Sequence, residues 1–213
     1  MPEVPALTET FIELQSWMRE NAPGVIFRSP ASPAAIANFA EKSGLDLPDE
    51  LGQLLLLADG ETPKSAGAIG NWRIMPIAEI QAAWGFLTQL TAKRYFIELI
   101  PETSPYLRAA WWHPGWIPIV TDDAGGYFCL DTDPPEPTRS GQVILFLREQ
   151  PARPLVAASL SAWFDRITRD LAAGIYTFNE TKIFNCEAFL WSSLEHKHLF
   201  DGVDGKRLVD DVD

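Results

Sequence analysis

Trp116-Ile117-Pro118-Ile119-Val120, then Asp122-Asp123-Ala124-Gly125-Gly126, then Tyr127-Phe128-Cys129-Leu130-Asp131 run almost without interruption through the middle of the chain. The first and last runs are apolar and rich in β-branched or aromatic residues; the central one is turn chemistry, with glycines free to take positive φ. Two such runs around such a turn predict an antiparallel hairpin. Pro134-Pro135-Glu136-Pro137 to Gly141 reads as a loop, and Gln142 to Leu147 as a third strand. Upstream, Asn71 to Pro76 reads as a short strand stopped by proline.

On either side of these strands the apolar spacing changes to that of helices. Leu7, Phe11, Leu14 and Met18 make one stripe, with Thr10 and Glu13 in capping-box spacing. Ser32 is a good N-cap with Pro33 behind it, Ile36, Phe39 and Ala40 form the inner face, and Gly44 suits a left-handed stop. A third helix starts at Leu47-Pro48-Asp49-Glu50-Leu51 and closes at Asp59-Gly60. Ile80, Ala83, Trp84, Leu87 and Leu90 mark a fourth; Leu160, Phe164, Ile167 and Leu171 mark a fifth, capped by Ser159 and stopped by Gly174. Residues 91–110 have no clear period, and Tyr95, Phe96 and Ile97 fit either a strand or an insertion. Helices, then strands, then helices is an α+β order, with a mixed or antiparallel sheet packed against helices. The domain is expected over residues 1–174. Residues 175–213 are expected to add a helical extension packed on it, fraying after about residue 200.

Composition narrows the function classes. The chain has 213 residues, 46% hydrophobic and 22% charged, the balance of a globular protein. Seventeen Lys and Arg against 29 Asp and Glu give a net charge of −12. Nucleic-acid binding draws its affinity from cations on phosphates, so this chain has the wrong sign for it. Cys129 and Cys186 are too few for a disulfide framework or a structural zinc site. The N-terminal MPEVPALTET lacks a secretory pattern and no apolar run approaches the length of a membrane span, so a cytoplasmic protein is expected.

Several constellations invite a chemical reading and each has a plain alternative. Cys129 with His113 would be a hydrolase pair, yet Cys129 falls inside a strand as a small apolar residue. His196 and His198 would share a face only on a strand, and their surroundings look helical. Asp122, Asp123, Asp131 and Asp133 offer oxygen ligands without the spacing of a calcium loop; turn chemistry or an acidic binding edge explains them as well. No phosphate-binding, dinucleotide, zinc-protease or nucleophile-elbow motif is present. No catalytic, metal or cofactor residue is therefore assigned. Eight tryptophans are many, and Trp111 and Trp112 on a strand would face opposite ways, leaving one for a surface hot spot.

The ordered series His113-Pro114-Gly115-Trp116-Ile117-Pro118-Ile119, Asp122 to Gly126, Cys129-Leu130-Asp131-Thr132-Asp133-Pro134 and Gly141-Gln142-Val143-Ile144 resembles the SMI/KNR family of the SUKH superfamily. Ala40-Glu41, Leu47 to Leu51, Asp59-Gly60 and Trp72 fit upstream, so the resemblance spans about Ala31 to Leu171. Tyr127 departs from it, standing where a polar residue is expected, as does the C-terminal extension. The resemblance implies an α+β binding module rather than an enzyme. Many of its bacterial members look like immunity proteins against toxins; a fungal relative regulates cell-wall glucan synthesis. The chain lacks the long disordered flanks of the fungal kind, which favours the immunity role. The expected partner is then a basic toxin domain, steered in by the acidic charge. The expected contact residues are Asp122, Asp123, Asp131, Asp133, Trp111 and Trp112. The alternatives are a regulatory or scaffold protein of the cell-wall type, and a Cys/His hydrolase.

Overall fold

The computed structural model describes residues 5–183 and 186–193, with side chains through residue 179. Three helices open the chain: α1 (Leu7–Asn21), α2 (Pro33–Ser43) and α3 (Asp49–Leu57). A two-residue strand β1 (Arg73–Ile74) leads into α4 (Ile77–Ala92). Strands β2 (Trp116–Thr121), β3 (Tyr127–Asp131), β4 (Gln142–Phe146) and β5 (Leu155–Ala157) follow, then α5 (Leu160–Ala172), β6 (Tyr176–Ile183) and β7 (Cys186–Ser193). The first five strands form one sheet in sequential order, and every neighbouring pair is antiparallel. The α+β class holds, and the sheet is antiparallel throughout. Among the described residues no helix is long and apolar enough to cross a membrane.

The central strands are apolar at every position because both faces of the sheet are covered. Ile117, Phe128, Leu130, Val143 and Leu145 point into the main core with α1, α3 and α5, where the Phe11 and Phe164 rings stack at 5.5 Å. Trp116, Cys129, Ile144 and Phe146 point the other way, onto Leu87, Leu107 and Trp112. A bulge between Pro118 and Val120 adds one residue to β2, so Ile119 and Val120 both serve the main core. Pro118 sits at that bulge, beyond the two residues β1 covers, where a strand tolerates a missing N–H.

Helix starts are capped from near and far. Ser32 and Ser159 cap as expected, accepting from Ala35 N at 3.2 Å and Ala162 N at 3.1 Å, and Gly44 takes φ 67°. The Thr10–Glu13 capping box does not form. α1 begins earlier, at Leu7, and Thr10 is buried inside it, donating to the Leu7 carbonyl at 3.0 Å. α4 has no local side-chain cap; Asp59 accepts from Ile77 N at 2.7 Å instead. Glu50 accepts from Leu160 N at 2.8 Å and also receives the Ser161 hydroxyl, reinforcing the start of α5.

The expected C-terminal helix is corrected. β6 and β7 instead pair as antiparallel strands, registered Tyr176↔Ser193 through Ile183↔Cys186. The reason is visible in Thr177, Thr181 and Ile183, β-branched residues that alternate with Tyr176 and Phe178. Tyr176 and Phe178 pack against the main core. The fraying expected after residue 200 lies outside the described residues. Of the two readings for residues 91–110 the strand does not form: residues 91 and 92 end α4, and the rest are turns and an irregular connection inserted between α4 and β2.

One buried carboxylate organises the link from α3 to the sheet. Glu61 is fully buried; its Oε1 accepts from Ile74 N at 2.7 Å and Ala68 N at 3.2 Å, and Oε2 receives the Ser65 hydroxyl. Glu61→Ala leaves two buried N–H groups without an acceptor and is expected to cost about 2–5 kcal/mol in chemical denaturation. Burial pushes the Glu61 carboxyl from 4.5 up to about 7, against the pull of its hydrogen bonds and of Arg73. The folded state therefore binds the extra proton between these values, and this contribution to stability falls as pH rises from about 4.5 to about 7. Glu61→Gln, which keeps an acceptor, is expected to flatten that part of the stability–pH curve relative to the parent.

Candidate functional site

The hairpin register separates the four aspartates expected to act together. Asp122 and Asp123 lie at the turn beyond the Thr121↔Tyr127 pair; Asp131 and Asp133 lie at the opposite end, where Trp116 pairs with Asp131. Five strand residues put these ends roughly 17 Å apart.

At the turn, Asp122 Oδ1 accepts from Ala124 N and Gly126 N, both at 2.8 Å. Asp123 has φ 57° and pairs with Arg73 at 2.8 Å, while Arg73 also holds Glu79 at 2.8 Å. Burial opposes the Arg73 charge, but its two carboxylates prevail and raise its pKa. At the other end, Asp133 is exposed and pairs with Arg108 at 3.0 Å, with His113 Nε2 at 3.7 Å. Asp131 is wholly buried: Oδ2 accepts from Gln142 Nε2 at 2.9 Å, and Oδ1 from Asp133 N at 3.1 Å. Burial raises its carboxyl. It is a structural acceptor and presents nothing to a partner.

The tryptophan pair divides as expected, for a different reason. Trp111 and Trp112 lie in an irregular bend rather than a strand. Trp112 is buried edge-on against Trp116 and Phe146, at 5.9 and 5.1 Å between centroids, and donates to Thr88 Oγ1 at 3.3 Å. It leaves the set of partner-facing residues. Trp111 is half-buried with the Arg153 guanidinium 5.0 Å over its ring. Tyr127, the departure from the family pattern, stacks at 6.3 Å on Phe146.

Cys129 is buried with Trp112, Trp116, Ile144 and Phe146. Burial pushes its thiol well above the ordinary range, which disfavours the thiolate a nucleophile needs. Burial also lowers the His113 pKa, and its Nδ1 accepts from Gly115 N at 3.1 Å. Among the described residues no group of three His, Cys, Asp or Glu is placed to hold a metal; His196 and His198 lie outside them.

A surface that sequence reasoning missed lies where α4 ends. Phe86, Tyr95, Ile97 and Ile100 are 61%, 72%, 62% and 83% exposed. Exposed apolar side chains gathered in one place mark a contact surface more often than scattered ones do. Beside them a groove of about 600 Å³ runs between Phe86, Leu90, Tyr95, Leu99, Trp111 and Arg148. Two signals pointed to it: Phe86 stands out of phase with the α4 stripe, and residues 95–100 hold five apolar residues in six with no helical or strand period.

A five-stranded antiparallel sheet backed by α1, α3 and α5 is an α+β architecture of the SUKH kind. Residues 30–166 match the SMI1 / KNR4 family (SUKH-1), and the chain belongs to that family. It is 23% identical over 192 residues to the Schizosaccharomyces pombe protein named cell wall biosynthesis/cell cycle regulator smi1, covering 83% of this chain and 38% of that one. A Yarrowia lipolytica KNR4/SMI1 homolog is 29% identical over 127 residues, 55% of this chain and 17% of its own. A Neurospora crassa glucan synthesis regulatory protein is 32% identical over 74 residues, 35% and 14% respectively. The chain spans well under half the length of these relatives.

The environment of Cys129 yields a direct expectation. In a Cys186→Ser background at neutral pH, iodoacetamide should modify Cys129 only as fast as the protein unfolds, rising with denaturant. Rapid modification of the native protein, followed by mass spectrometry, would restore the thiol to the list of reactive groups.

Proposed function

We propose that this protein is a non-catalytic protein-binding module that acts as a regulator, in the manner the names of its fungal relatives describe for cell-wall and glucan synthesis. The observation that carries this reading is the alignment of 83% of the chain with the fission-yeast regulator. The exposed apolar ledge at the end of α4 supports it, because a regulator that makes no bond needs a surface whose burial drives association.

The toxin-neutralising reading keeps one support of its own, the net charge of −12. Asp122, Asp123 and Asp133 all hold partners within the fold and lie at two separate ends of a hairpin, so they do not make the single phosphate-like cluster expected of an occluding face. Names given to relatives favour regulation.

The two readings separate on the identity of the partner. The full-length protein, tagged at its own locus and cross-linked in its native cells, is expected to retain a chromosomally encoded component of cell-wall synthesis. Retention of a secreted toxin domain, together with protection of cells that express that toxin, would move the protein to the immunity class. Recovery of neither would remove both.

A further inference from the structure

We infer that the groove at the end of α4 receives a segment of a partner protein in which apolar side chains are flanked by carboxylates. This rests on the protein-binding reading above and specifies the ligand chemistry.

The apolar half of the inference follows from the walls. Phe86 and Tyr95 stand mostly out of the surface, and Leu99 is 41% exposed beside them. An apolar anchor seated between these side chains removes them from water, and aromatic rings in such a position dominate recognition energies.

The acidic half follows from cations that the fold leaves weakly compensated. Arg153 is buried, and its guanidinium lies over Trp111 and, at 4.4 Å, over Phe146. It donates to the carbonyls of Trp111, Leu147, Gln150 and Ala152; among the described residues no carboxylate pairs with it, and its Nε has no acceptor. Trp111, which walls the groove, has a buried Nε1–H that is likewise without an acceptor. Arg148, on the rim, touches only Glu149, at 3.5 Å and well exposed. Lys93 and Arg94, at the end of α4, make no ion pair among the described residues. The groove lining itself carries one cation and one acid, Arg148 and Glu149; with the adjoining Lys93, Arg94, Glu98, Glu102 and Arg153 the segments hold four cations against three acids, an excess of one positive charge on a chain of net charge −12. A carboxylate from the partner supplies negative charge to the exposed Arg148, Lys93 and Arg94, while Arg153, buried behind Trp111, contributes only its field. The groove is concave and Glu149 stands in its lining, with Glu98 and Glu102 in the adjoining segment, which favours a polypeptide segment over an anionic lipid surface.

The test is selection of displayed peptides on the full chain, followed by fluorescence anisotropy. The probes are a synthetic peptide with Leu and Phe anchors separated by Asp and Glu, and the same peptide with Lys at the acidic positions. Selection is expected to enrich acidic–apolar sequences, and the acidic probe is expected to bind about tenfold or more tightly than its Lys counterpart, with an affinity that falls with salt. Phe86→Ala and Trp111→Phe should each weaken it by about five- to tenfold, and Arg148→Glu should erase the preference for acids. Phe86 and Arg148 are exposed, so thermal melting of those two variants should match the parent. Four results overturn the inference: enrichment of other chemistry or of nothing, equal affinity for both probes, unchanged affinity in the variants, or self-association abolished by Phe86→Ala. Preferential binding to anionic vesicles does the same. If the doubly substituted Phe86→Ala, Arg148→Glu protein still retains its cellular partner, the groove assignment fails while the module reading stands. Loss of every partner by the parent protein refutes the module reading itself.

Discussion

Buried backbone donors need acceptors, and this chain meets several of them with carboxylates from distant segments. Glu61 matters most. β1 has two residues, too few to hold a register by its own ladder, and it is where the chain of the helical first third enters the sheet. The Glu61 carboxylate ties Ile74 N and Ala68 N into one place, and Met75 N reaches Ile119 O at 2.9 Å. With β1 fixed, Arg73 is delivered to Glu79 on α4 and to Asp123 in the hairpin turn. Two residues before Glu61, Asp59 caps α4. The short run from Asp59 to Glu61 thus sets where α4 begins and how it lies on β2, and the far end of α4 carries the exposed ledge.

The same logic explains why net charge is a poor guide to where such a protein is acidic. Glu50, Glu61 and Asp131 are spent on backbone and side-chain donors inside the fold. Asp123 and Glu79 are engaged by Arg73, and Asp133 by Arg108. An overall charge of −12 steers encounter at long range, but the contact made afterwards depends on which side chains stand free.

Much of the architecture was legible because it depends on local pattern. The five helices, the β2–β3 hairpin and β4 follow from spacing and turn chemistry; Ser32 and Ser159 cap within three residues, which sequence can show. Caps that act across space cannot be read that way: nothing near Leu160 points to Glu50, and the Thr10–Glu13 spacing suggested a box where Thr10 instead faces the core. The strands β6 and β7 are harder to read, because the aromatic content of the segment masks the alternation of Thr177, Thr181 and Ile183. The candidate site suffered most. Aspartates close in sequence were grouped, yet a hairpin sends residues nine apart to opposite ends of its strands, and strand pairing with Gln142 buries Asp131. Which of Trp111 and Trp112 is hidden is decided by the packing around Phe146, which adjacency in sequence does not show.

The groove joins these strands of argument, since the fold leaves it incomplete in two respects at once. Arg153 enters the aromatic cluster without a carboxylate, and burial pulls its pKa down to about 10, so it remains a cation at neutral pH. The faces of Trp111 and Phe146 and four carbonyls stabilise it. They are neutral groups, so the positive field persists beside the groove. Above it, large apolar side chains at the end of α4 stay in contact with water. A hydrophobic neighbour alone would cover the ledge and leave the cation uncompensated, and an anion alone would do the reverse. Only an occupant bearing both chemistries satisfies the two together, which is why the surface selects for sequence in its ligand and not merely for hydrophobicity.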